Sequence, residues 1–171
     1  MTRATSVRLT PALLLIGVMS FTAAPQAQAP AAPAAATQKP APAPQALTYE
    51  MAVQVIDAAE AEARKNNWNV TIVVTDAVGT PVVLRRINGA SARSYDIAMR
   101  KAATVVAAKM TTAEYGAKMK EKAVTEVPNG ITFAGGVPIM RGAEFIGAVG
   151  TSGVTAAQDE IISKAGTSVI K

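Results

Sequence analysis

The stretch Gly135-Gly136-Val137-Pro138-Ile139-Met140-Arg141-Gly142-Ala143-Glu144-Phe145-Ile146-Gly147-Ala148-Val149-Gly150-Thr151-Ser152-Gly153 decides the fold. It reads as two short apolar strands, Val137 to Met140 and Phe145 to Thr151, joined by the turn Arg141-Gly142-Ala143-Glu144. Gly142 supplies the positive φ that such a turn asks for and that a side chain resists. Gly147 and Gly150 stand inside the second strand, where glycine marks a bulge or a close approach of another backbone or a ligand. Two readings are open: a helix packed against a core hairpin, or glycines that floor a ligand or subunit contact.

Upstream, Leu47-Thr48-Tyr49-Glu50 opens a helix with Thr48 as N-cap and Glu50 in the first turn, where the helix dipole favours an acid. Met51, Ala52, Val55, Ile56, Ala59 and Ala63 fall on one face, and Asn66-Asn67 ends the helix. Val70 to Thr75 is β-branched and short, hence a strand; Asp76-Ala77-Val78-Gly79-Thr80 turns the chain, and Pro81 to Ile87 returns it. Asp76 is a turn residue on this reading, since no second acid accompanies it.

Asn88-Gly89-Ala90-Ser91 is a loop with Ser91 as the expected cap of a helix over 93–109. Ile97, Ala98, Ala102, Val105 and Val106 form that helix's buried stripe, with Ser94, Tyr95, Arg100, Lys101 and Thr104 on or beside its flank. Thr111 with Glu114 makes a capping box for a short helix to about Lys120. Ile131-Thr132-Phe133 is expected to be a strand fragment. Thr155 caps a last helix whose Ile161, Ile162 and Ala165 face inward and which Gly166 stops; the Asp159-Glu160 pair is an ordinary first-turn acid pair. The order is helix, hairpin, two helices, hairpin, helix. Hairpin strands pair antiparallel, so the class is α+β, with the two hairpins able to lie side by side in one sheet.

The start of the chain is of another kind. Arg3 and Arg8 precede the apolar run Pro11 to Phe21, and small residues follow, the pattern of a secretory signal peptide over 1–29. That run is too short for a comfortable membrane span. Residues 25–46 are almost entirely Ala, Pro and Gln, so 30–46 is read as an extended linker with no core to bury. The domain is then 47–171, and its destination periplasmic or secreted. Of the 17 Lys and Arg, three (Arg3, Arg8 and Lys39) precede residue 47, which leaves the domain near balance against 12 Asp and Glu. With one Trp, three Tyr and three Phe besides, it offers no stacking surface for nucleic acid.

The chain has no histidine and no cysteine. Ser-His-Asp and Cys-His catalysis, zinc sites with N or S ligands, axial His or Cys ligation of haem, and disulfides are all ruled out. The glycines match neither a Walker loop nor a dinucleotide fingerprint. What remains is a concentration of Arg85, Arg86, Arg93, Tyr95, Arg100 and Lys101 around the 88–94 loop and the helix after it, with Ser152 beyond. It is consistent with a rim for anions or propionates.

Taken in order, Thr75-Asp76-Ala77-Val78-Gly79, Arg86-Ile87-Asn88-Gly89-Ala90, Ser94-Tyr95-Asp96-Ile97-Ala98, Lys101-Ala102-Ala103-Thr104, Gly135-Gly136-Val137-Pro138-Ile139, Gly147-Ala148-Val149-Gly150-Thr151-Ser152-Gly153 and Gln158-Asp159-Glu160 resemble the GlcG/HbpS family of haem-binding proteins over the whole of 47–171. The resemblance implies a profilin-like or PAS-like α-β-β-α-α-β-β-α fold and homo-oligomers. It also implies haem or another tetrapyrrole as ligand, and iron handling or redox sensing beside a membrane-bound partner. Many relatives carry a histidine in the loop before the 93–109 helix; this chain does not. Haem would then take Tyr95, Met99, Lys101 or Thr104 as ligand, or none, with Arg86, Arg93, Arg100 or Lys101 pairing its carboxylates and Gly135 and Gly136 lining the site. No catalytic residue is assigned, and the reading leans away from an enzyme. The rivals are a protein or enzyme that holds a small carboxylate in the same cleft, and an assembly module without a ligand.

Overall fold

A computed structural model describes residues 46–171. The expected signal peptide and all but the last residue of the expected linker lie outside them. The element order is α1 (Tyr49–Lys65), β1 (Thr71–Asp76), β2 (Pro81–Arg86), α2 (Arg93–Ala108), α3 (Thr112–Lys120), β3 (Gly136–Arg141), β4 (Glu144–Ser152) and α4 (Ala156–Thr167). The α+β order α-β-β-α-α-β-β-α is the one expected. The strands form one antiparallel sheet in the order β2-β1-β4-β3, so the two hairpins join through β1 and β4, with Ile72 opposite Thr151 and Val74 opposite Val149.

The alternation of β1 sorts the layers. Ile72 and Val74 face the main core with Val55, Ile56, Val149 and Ile162, where α1 and α4 pack on the sheet and on each other. Thr71 and Val73 point to the opposite face, which α2 covers over β4, β1 and β3. There the residues are small. A Cβ on Gly150 would collide there with the carbonyl of Ala98; one on Gly147, on the main-core face beside Leu47 and Ile139, would collide with the carbonyl of Thr75. The strand glycines are therefore occupied by a helix and a neighbouring strand of the same chain, the first of the two readings. Gly142 takes φ +59 in the β3–β4 turn.

Several local signals act as read. Thr48 accepts from the Met51 N–H, and Thr111–Glu114 closes a reciprocal capping box; Asp76 Oδ1 accepts from Val78 and Thr80 inside the β1–β2 turn. Others differ. α2 has no side-chain cap: Ala92 stands at the N-cap, and the Ser91 carbonyl, rather than its hydroxyl, takes the Ser94 N–H. Residues 131–133 form no strand, because the Ile131 N–H is taken by the Thr104 hydroxyl at 2.9 Å. Gly166 lies inside α4, where it lets α4 close on α1 at the Val55 carbonyl, and Ile161 is 47 % exposed rather than inward.

Candidate functional site

α2 is the element on which the candidate residues converge, and it divides them between its two flanks. Toward β3 lie Arg100, Lys101 and Thr104. Lys101 is not a flank residue: it is fully buried. Its Nζ donates to Asp159 Oδ2 at 2.7 Å and to the Thr151 carbonyl at 2.9 Å, with the Phe133 ring 5.0 Å away. Asp159 is equally buried, and its Oδ1 accepts from the Val154 N–H at 3.2 Å. Burial pushes the Lys101 ammonium below its usual range and the Asp159 carboxyl above its own, each opposed by the charge of the other.

This pair passes across the end of the sheet and ties α2 to α4. Gly135, at φ +122, is the crossing point: a Cβ there would strike Lys101 Nζ and come within 2.8 Å of both Asp159 Cβ and the Thr151 carbonyl. Gly136 is pressed between α2 and α3, its N–H donating to Thr112 Oγ1 at 2.9 Å. Ser163 of α4 donates to the Gly135 carbonyl and meets Thr151 Oγ1, each at 2.8 Å. Thr104 donates to the Arg100 carbonyl at 2.7 Å and accepts from Ile131 N–H, while Arg100 Nε donates to the Asn129 carbonyl at 3.0 Å. This flank is a closed polar knot with its hydrogen bonds used internally.

The other flank is open. Tyr95, Met99 and Val106 follow at helical spacing, and Val106 faces the β1–β2 turn at Gly79, so this flank looks toward β2. Tyr95 is 49 % exposed and Met99 half-buried. Leu84 pairs with Val73 and Arg86 with Thr71, which places both β2 side chains on the α2 side of the sheet; Leu84 is 39 % exposed. Arg86 donates through Nε and NH2 to the Ala90 carbonyl, which braces the loop before α2. Arg93 begins α2 at the lip of a cleft of about 200 Å³ shared with Ser94, Ile97, Ser152 and Val154. A larger groove of about 410 Å³, between the end of α2 and residues 124–128, holds none of the predicted site residues.

The sequence reading missed Asp159 as Lys101's partner, and with it Phe133, Thr112 and Ser163. One signal was present: residue 101 completes the 98, 101, 102, 105 spacing of the buried stripe, and a lysine there needs a buried acid. Among the described residues no group of three or more His, Cys, Asp or Glu could hold a metal ion, and no helix is long and apolar enough to cross a membrane.

Comparison with known proteins places this architecture. The family model described as "Haem degrading protein HbpS-like" matches residues 47–168. The chain belongs to the HbpS-like family. Protein GlcG of Escherichia coli K12 is 35 % identical over 108 residues, which is 62 % of this chain and 81 % of GlcG. A 15.0 kDa uncharacterized protein of Citrobacter freundii, encoded between dhaT and dhaS, is 31 % identical over 124 residues, 69 % of this chain and 87 % of its own. Among solved structures, a double mutant of Streptomyces reticuli HbpS superposes with a TM-score of 0.70 at 31 % identity, covering 82 % of this chain and 98 % of that one. A PduOC–haem complex gives 0.63 at 29 % identity, covering 74 % and 96 %. The HbpS-like fold is thus shared over nearly the full length of these neighbours.

Proposed function

We propose that this chain is an exported haem-binding member of the HbpS-like family, and that the tetrapyrrole lies on the open strip between β2 and the outer flank of α2. Two comparisons support the ligand: the family's description names haem, and a neighbour of the same fold was crystallised with it. Haem asks for an apolar surface against its ring, a cation near its carboxylates and a donor for its iron. Leu84 offers apolar surface and Arg86 the cation. Of the four donors considered, Lys101 and Thr104 are consumed by internal bonds, which leaves the Tyr95 phenol and the Met99 thioether. The half exposure of Tyr95 carries the placement, since a phenolate is an established axial ligand. When bound, haem supplies an iron centre for redox chemistry; the chain's own part is to hold it with one face open. The homo-oligomer and the membrane-bound partner implied by the resemblance belong to the same proposal.

Titrating the purified chain with hemin tests it. A saturable Soret band is expected, with about tenfold weaker binding and a shifted band in Tyr95→Phe, the loss of one strong contact. A flat titration removes haem as the ligand. An unchanged titration in both Tyr95→Phe and Met99→Leu removes the strip. Following the band after reductant and peroxide separates reversible binding from the degradation that the family description names.

A further inference from the structure

The cleft at the start of α2 shares none of the residues assigned to the haem strip and has a chemistry of its own. We propose that it binds a short carboxylate, held between the first turn of α2, the Ser152 hydroxyl and the Arg93 guanidinium.

Ser152 is the deciding residue. It is 6 % exposed, lines the cleft, and among the described residues its hydroxyl has no hydrogen-bond partner. Its direction follows from register. Ser152 stands opposite Thr71, and residues opposite one another in an antiparallel pair project to the same face. The Thr71 hydroxyl meets Ser94 Oγ of α2 at 2.7 Å, so Ser152 also faces the first turn of α2. The hydroxyl opens on the cleft, where it can donate to an acceptor bound there.

The helix end fits an acceptor. α1, α3 and α4 each begin under a threonine hydroxyl that bonds a first-turn N–H, whereas α2 begins at Ala92 with no side-chain bond. The Ser94 and Tyr95 N–H groups turn back to the Ser91 and Ala92 carbonyls, so the positive dipole end and the Arg93 N–H are what α2 leaves to an external acceptor. Charge points the same way. Among the described residues Arg93 has no acidic partner. The acids closest along the surrounding elements are engaged elsewhere: Asp96 faces Arg100 at 3.8 Å, and Asp159 is held by Lys101 and the Val154 N–H. The cation that Arg93 brings to the mouth is therefore not neutralised by an ion pair.

Size and wall set the class. About 200 Å³ holds a few heavy atoms, far from a tetrapyrrole, and Ile97 and Val154 give one side an apolar wall. A carboxylate with a short aliphatic tail uses both halves of this lining; inorganic phosphate uses only the polar half.

The test is an amide chemical-shift titration of the purified full chain with acetate, lactate and inorganic phosphate at constant ionic strength. The carboxylates should move the amides of Arg93 to Tyr95 and of Ser152 to Val154 saturably, and more strongly than phosphate. Ser152→Ala removes a hydroxyl that supports no internal bond, and Arg93→Gln removes an exposed charge, so both variants keep the fold. Each should weaken carboxylate binding about tenfold, the effect of one charge-assisted contact. Absence of saturable shifts at those amides, or equal binding in both variants, overturns the site, and a preference for phosphate overturns the carboxylate class. Saturating acetate should leave the hemin titration unchanged; competition between them would show one shared site and overturn the separation. Loss of haem binding alone leaves this result standing.

Discussion

Gly135 and Gly142 both hold positive φ, yet they answer to different demands. Gly142 has open space around its Cα, so Gly142→Ala meets only the left-handed backbone penalty, about 1–2 kcal/mol. Gly135 carries the same kind of backbone cost and also lies under the Lys101–Asp159 crossing, where neither partner can withdraw. Gly135→Ala should cost roughly 4 kcal/mol or more, which puts it among the exceptional single substitutions. Urea denaturation of the two variants side by side checks this, and equal losses would show that the crossing bears no strain. The ion pair itself is tested by Lys101→Met. Alone it strands a buried carboxylate and should cost about 3–5 kcal/mol, whereas adding Asp159→Leu should recover most of the loss. Recovery of nothing would mean that the pair is held for packing rather than charge.

At the scale of elements, the helices differ in how their ends are closed. Thr111 and Thr155 each sit in a reciprocal capping box on an exposed surface, so Thr111→Ala and Thr155→Ala should each lower stability by about 1 kcal/mol. Thermal unfolding of each variant measures it, and no change in either would mean that tertiary packing alone sets these ends. The Thr111–Glu114 box and the Thr155 cap were read in sequence because their signal is local; that Gln158 closes a second box at Thr155 was not read. The segment 131–133 was misread for the converse reason. Its β-forming residues are real, but its first N–H is claimed by Thr104, twenty-seven residues away, and no window of sequence carries that information. Ser91 was misread as a cap because its carbonyl, not its side chain, serves the helix.

The whole molecule is where the buried pair shows itself in bulk measurements. Asp159 is raised above its ordinary value of 3.8, so its contribution to stability is full below that pH and is lost as pH rises through the raised value. Lys101 is lowered from 10.5; its contribution is full above that pH and is lost as pH falls through the lowered value. Relative to the Lys101→Met/Asp159→Leu chain, the native protein should therefore be weakest near neutrality and gain toward both ends of the range. A stability difference that stays flat with pH would contradict this. The α+β order could be read from periodicity and turns, which act within a few residues, while the adjacency of the hairpins stood only as an option until β1 was seen beside β4. The joining of Lys101 to Asp159 could not, because it depends on how α2 and α4 meet around the end of the sheet. What sequence did offer was a lysine in an apolar stripe, a question whose answer lay fifty-eight residues on.

The strand order β2-β1-β4-β3 also sets a schedule for folding. Each hairpin can close on its own within about 1–10 μs, but β1 must wait for β4, whose residues follow some seventy positions later. Closing that span is the entropically slow step. A chain that emerges N-terminus first therefore presents β1 with an unpaired edge, open to association with other chains, until Glu144–Ser152 arrives. Asp159 comes later still, so the charge on Lys101 has no place in a closed core until α4 has followed β4.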